Sequence, residues 1–128
     1  MVGITHECDY PGDVLGLPIV TRSKIPKGLS SHEIDVIVRS QLETDSALYS
    51  LDVETLSSLK PDLIVPQALC DVCAVSADEV TTVACELPGH AQVINLEPTC
   101  LSDVLQTIPV VGKAAKCEAE AQAYYEQL

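Results

Sequence analysis

The stretch PDLIVPQALCDVCAVSADEV, residues 61–80, constrains the fold of this chain more than any other. Leu63, Ile64 and Val65 form an apolar run with no alternation, which suits a parallel strand covered on both faces. Pro66 stops the run. Ser76 and Glu79 have the S-x-x-E spacing of a capping box, so the spacing predicts a helix from about Ser76. Between strand and helix lie Gln67, Cys70, Asp71 and Cys73. Ligands of open α/β sheets collect at the carboxyl ends of strands, so this loop is the leading candidate for a site.

The same pattern repeats along the chain. A short strand is predicted at 2–5, running into the polar loop His6-Glu7-Cys8-Asp9-Tyr10-Pro11, and a second at 18–21. Ser30 with Glu33 makes another capping box, and Ile34, Ile37, Val38 and Leu42 share one face of a helix over 31–43. Asp52 is an N-cap for a short helix carrying Val53, Leu56 and Leu59, ended by Pro61. The helix from 76 to about 86 turns Val80, Val83, Ala84 and Leu87 inward, and Pro88-Gly89 breaks it. A strand at 92–96 follows, closed by Glu97-Pro98. A helix from about 101 carries Val104, Leu105 and Ile108, with Pro109 and Gly112 expected to interrupt it. Residues 113–128 are rich in Ala, Glu and Gln and read as a helix with a weak apolar stripe, an exposed strut or linker.

Strands alternating with helices imply parallel pairing, right-handed crossovers and an α/β three-layer sandwich around a short parallel sheet. The loops after Thr5, Val65 and Leu96 then share one edge of the sheet. His6, Glu7, Cys8, Asp9, Gln67, Cys70, Asp71, Cys73 and Glu97 are thereby expected close together in space.

Composition narrows the chemistry. The chain has 128 residues, enough for one domain, and a net charge of −12. Phe and Trp are absent and Tyr numbers four, so the core must be aliphatic. Acidity and scarce aromatics argue against nucleic acid, and acidity against anionic membranes. No stretch approaches the roughly 18 apolar residues of a membrane span. No secretory signal opens the sequence, so the chain as it stands reads as cytoplasmic, with its six cysteines as thiols, ligands or core residues.

Cys70-x-x-Cys73 admits several readings. A thioredoxin-type pair needs a thiolate at a helix N-terminus, and this pair precedes the predicted helix by three residues. A c-type haem site needs His after the second cysteine, where Ala74 stands. His6 and Cys8 could complete a Cys3His set for zinc or iron with Cys70 and Cys73. Otherwise the cysteines line a ligand pocket or pack as small apolar groups. His6 alone could ligate the metal centre of a bound cofactor, or simply hydrogen-bond within its loop. His32 and His90 read as solvated, Cys85 and Cys100 as packing residues, and Cys117 as exposed. Glu7 and Asp9 could pair as general acid and base, but no Ser-His-Asp order, phosphate loop or HExxH accompanies them, so an enzyme is not expected.

The segments VGITHECDYP, PIVTRSKI, LSSHEIDVIV, LYSLDVETLSSLKPDLIVPQALCDVCAVS and INLEPTCLSDVLQTI resemble, in that order, the amino-terminal lobe of class III substrate-binding proteins of ABC transporters. The similarity is greatest to the cobalamin-binding branch, related to the iron–siderophore receptors. The resemblance implies two α/β lobes joined by a long helix, with a corrinoid or iron chelate held between them and no catalysis. Residues 1–112 would be a lobe lacking its first strand-helix unit, and 113–128 the start of the connecting helix. The THECDYP match points to His6, Glu7, Cys8, Asp9 and Tyr10 at the cleft, and LCDVCAVS to Cys70, Asp71 and Cys73. Asp78 or Glu79 would be the acid that docks on the membrane permease. The family's location would be periplasmic or lipoprotein-anchored, given its leader. A single lobe covers one face of a corrinoid, so weak binding is expected unless two chains pair their rims. A missing strand would leave an apolar groove and favour oligomers.

Overall fold

The computed structural model describes residues 1–43, 47–67, 75 and 77–128. Among these residues the protein is mixed α/β, with five α-helices and two small sheets.

The helices begin where local hydrogen bonding dictates. In α1 (Ser31–Glu43) the Glu33 carboxylate accepts from the Ser30 backbone N–H at 2.8 Å and from its hydroxyl at 2.6 Å, the reciprocal arrangement of a capping box. Those bonds hold the Glu33 carboxyl below its usual pKa. Asp52 caps α2 (Val53–Leu59) by accepting the Thr55 N–H at 3.0 Å. Its other oxygen accepts from Arg22 Nε at 3.1 Å, tying the helix start to β1 (Thr21–Ser23). Lys60, with φ of 48°, ends α2 in the left-handed region ahead of Pro61.

β1 pairs antiparallel with β2 (Tyr49–Leu51), whereas β3 (Leu63–Ile64) pairs parallel with β4 (Gln92–Val93). Isolated parallel bridges join Ile4 to Ile19 and Gln67 to Leu96. The expected strand at 2–5 is thus reduced to one bridge, and parallel pairing does not extend to β1 and β2. The chain leaves β1, traverses α1 and re-enters at the same end, so its direction reverses; only a crossover to the opposite end makes neighbours parallel.

The core sits where both sheets meet α2 and α3 (Ala77–Glu86). Leu56, Val83 and Leu87 form its buried centre, with Val20 and Leu51 packed on from one side and Ile64 from the other. Val80 and Ala84 are buried on the same face of α3. The expected inward residues of α3 are therefore all inside. Elsewhere the apolar faces are looser: Val53, Val104 and Ile34 are exposed.

Two expectations at the carboxyl end are corrected. Pro109 and Gly112 do not interrupt α4 (Leu101–Ala114), which runs through both. Gly112 is buried there because α5 (Glu118–Tyr125) folds back against it: a Cβ on Gly112 would lie 2.1 Å from Ala121 Cβ. Gln106 Nε2 donates to the Tyr125 hydroxyl at 2.8 Å across the same hairpin. Residues 113–128 are consequently not a free strut. Ala114 ends α4, Lys116 takes φ of 59°, and α5 returns along its neighbour. The start of α4 is set by Asp103, which accepts from the Thr99 N–H (2.9 Å), the Thr99 hydroxyl (2.7 Å) and the Cys100 N–H (3.2 Å).

Candidate functional site

The loop after Thr5 is a tight turn with His6 and Glu7 at its centre, closed by the Cys8 N–H on the Thr5 carbonyl at 3.2 Å. Thr21 fixes it from β1. The buried Thr21 hydroxyl oxygen accepts the His6 backbone N–H at 3.0 Å and lies 2.7 Å from His6 Nδ1. With one lone pair on the backbone N–H, the Thr21 hydroxyl keeps one proton to give and one lone pair to accept with. The hydroxyl and Nδ1 thus share one hydrogen bond, whose direction follows the imidazole tautomer. The Tyr49 ring lies 4.9 Å from the imidazole, tilted by 52°. Nε2 is 3.2 Å from Glu7 Oε1, but the pair is too poorly aligned to count as a hydrogen bond, and Nε2 is otherwise buried without a partner.

The second loop begins where β3 ends. The Leu96 N–H donates to the Pro66 carbonyl at 3.0 Å, and Gln67 pairs with Leu96. Glu97 therefore directly follows the partner of Gln67, as the shared-edge reading requires.

A cavity of about 600 Å³ joins the two loops. Val20, Leu51, Leu56, Leu59, Ile64 and Val80 supply apolar wall, and His6, Glu7, Cys8 and Gln67 contribute polar groups. The first and second predicted loops are thus brought to one cavity. Asp9, Tyr10 and Glu97 are exposed and are not part of its described lining. Cys70, Asp71 and Cys73 lie outside the described residues, as does the predicted cap Ser76. Asp78 and Glu79 are exposed in the first turn of α3, away from this lining.

Among the described residues no group of three or more His, Cys, Asp or Glu side chains is arranged to hold a metal ion. His6 and Cys8 are neighbours in the turn, and their proposed partners Cys70 and Cys73 are not described. Cys8 is exposed, with the Thr5 hydroxyl donating to its sulfur at 3.6 Å. Cys85 and Cys100 are exposed rather than packed: Cys85 falls on the outer face of α3, and Cys100 is the N-cap of α4. Cys117 is exposed as expected. No described helix is long and apolar enough to cross a membrane.

Sequence reasoning missed Thr21 and Tyr49. A lone hydroxyl at the end of the apolar run PIVT was the available signal for Thr21. Comparison with family models, with curated proteins and with solved structures finds no match.

Proposed function

We propose that this chain is a ligand-binding lobe of the class III substrate-binding type, related to receptors for cobalamin and iron chelates, and not an enzyme. One observation carries the reading. His6, Glu7 and Cys8 from one loop and Gln67 from another line a single largely apolar cavity. A concave apolar site with a few convergent polar groups is what a binding module for a large organic ligand needs. The parallel pairing of β3 with β4 and the two parallel bridges support the short parallel sheet of a three-layer lobe, with a second lobe closing the cleft. In that assembly the corrinoid lies across the polar loops, and Cys70, Asp71, Cys73 and Glu97 extend the contact. Asp78 and Glu79 form the acidic point offered to the permease.

The test is a titration of the purified chain with cyanocobalamin, followed by nuclear magnetic resonance and calorimetry. Perturbation at His6, Cys8 and Gln67, weaker than micromolar, is the expected result. Absence of any shift at these residues in millimolar corrinoid defeats the assignment. Micromolar or tighter binding by a demonstrated monomer defeats the argument that half a cleft binds weakly.

A further inference from the structure

The walls of the cavity carry a second pattern, in the backbone. Ile4 uses both main-chain groups on one side: its N–H donates to Pro18 (3.0 Å) and its carbonyl accepts from Val20 (2.9 Å). Main-chain groups alternate in direction along an extended chain, so those of Gly3 and Thr5 face the other way. Beside β4, the carbonyls of Asp62, Ile64 and Pro66 accept from Gln92, Ile94 and Leu96 at 2.9, 3.0 and 3.0 Å. The groups of Leu63 and Val65 therefore face away from β4. Among the described residues, Gly3, Leu63 and Val65 make no backbone hydrogen bond outside the helices and ladders. Gly3, Thr5 and Val65 all line the cavity. Two stretches of outward-facing main chain thus border one apolar space.

The size of that space fits one strand. A rise of about 3.3 Å, a strand spacing of about 4.8 Å and a layer spacing of about 10 Å give roughly 160 Å³ per strand residue. The cavity of about 600 Å³ then holds close to four residues. Residues 2–5 and 64–66 both line it. Charge points the same way: the chain carries −12, and Glu7 stands on the cavity with Asp9 two residues on.

We propose that the cavity is a strand slot, which takes an extended aliphatic segment of about four residues, flanked by basic residues, from a partner polypeptide. Its main chain bonds to both edges and joins the two small sheets into one, while its side chains meet Val20, Leu56, Leu59 and Ile64. The strand fills the apolar part of the cavity whose polar groups the corrinoid reading uses, and the proposal does not depend on that reading.

The probe is the capped peptide Lys-Val-Ile-Val-Leu-Lys, titrated into the intact chain and followed by amide hydrogen exchange. Expected are saturable binding, at least tenfold slower exchange at Gly3, Thr5, Leu63 and Val65, and weakening in high salt. Proline in place of the peptide's isoleucine, which removes a main-chain donor, should weaken binding at least tenfold. Equal binding of the proline peptide, protection confined to other residues, or no binding overturns the proposal. Protection of the same amides in a peptide-free dimer, measured with light scattering, assigns the slot to a second copy and overturns the choice of partner. No corrinoid is present, so the result is read apart from the cobalamin titration.

Discussion

Replacing Gly112 with alanine tests the α4–α5 hairpin directly. Two effects oppose each other. In a helix interior alanine is favoured over glycine by about 1 kcal/mol. Against this, the new methyl would sit 2.1 Å from Ala121 Cβ, where carbon atoms prefer about 3.5–4.0 Å. Overpacking of this kind costs about 1–3 kcal/mol, so Gly112→Ala should be destabilising by about 1 kcal/mol net. That corresponds to a fall of roughly 3–5 °C in melting temperature for a domain of this size. The swap Gly112→Ala with Ala121→Gly relieves the clash, since the next contacts, to the Cys117 carbonyl oxygen at 3.4 Å and the residue 121 Cα at 3.6 Å, are ordinary. Propensity gains and losses cancel in the swap, so the double variant should melt near the parent. Thermal unfolding of the four proteins by circular dichroism gives the coupling energy. A Gly112→Ala protein that melts higher than the parent, as an unpacked glycine would allow, refutes the packing.

Three further outcomes follow from the geometry. Leu56→Ala, at the centre of the core, should cost about 2–5 kcal/mol in urea unfolding. Pro109→Ala should stabilise by about 1–3 kcal/mol, because α4 already runs through that position and regains a hydrogen bond; a loss would mean the proline is needed where it stands. Hydrogen bonds from Thr99 and Cys100 depress the Asp103 carboxyl from 3.8 to about 2. A depressed carboxyl stabilises the fold above its unfolded pKa and loses that effect as pH falls through the folded value. The melting difference between parent and Asp103→Ala should accordingly be full at pH 6 and shrink between pH 4 and 2; a difference unchanged at pH 2 contradicts the assignment.

Features written in short-range hydrogen bonds were legible in the sequence. The Ser30–Glu33 box and its apolar periodicity place α1 at its observed bounds, and Asp52 starts α2 as its residue type demands. The inward face of α3 followed from spacing alone. What depended on one element meeting another was not legible. Gly112 reads as a helix breaker until Ala121 is known to lie against it. The direction of β2 is set by where the chain re-enters after α1, which no local pattern encodes. At the site, the turn HEC and the strand end at Gln67 were found by position, as residues following predicted strands. Thr21 and Tyr49 were not, because their contacts with His6 arise only when β1 and β2 pair beside that turn.

The junction around Leu56, Val83 and Leu87 carries a mechanical consequence. Among the described residues the β1–β2 ladder and the β3–β4 ladder share no main-chain bond, and Val20, Leu51 and Ile64 all pack on these side chains. Among the described residues the two ladders behave as planks joined by this rivet. Loosening that rivet should let both halves exchange their amides together, at a rate set by aliphatic packing rather than by either ladder's own strength.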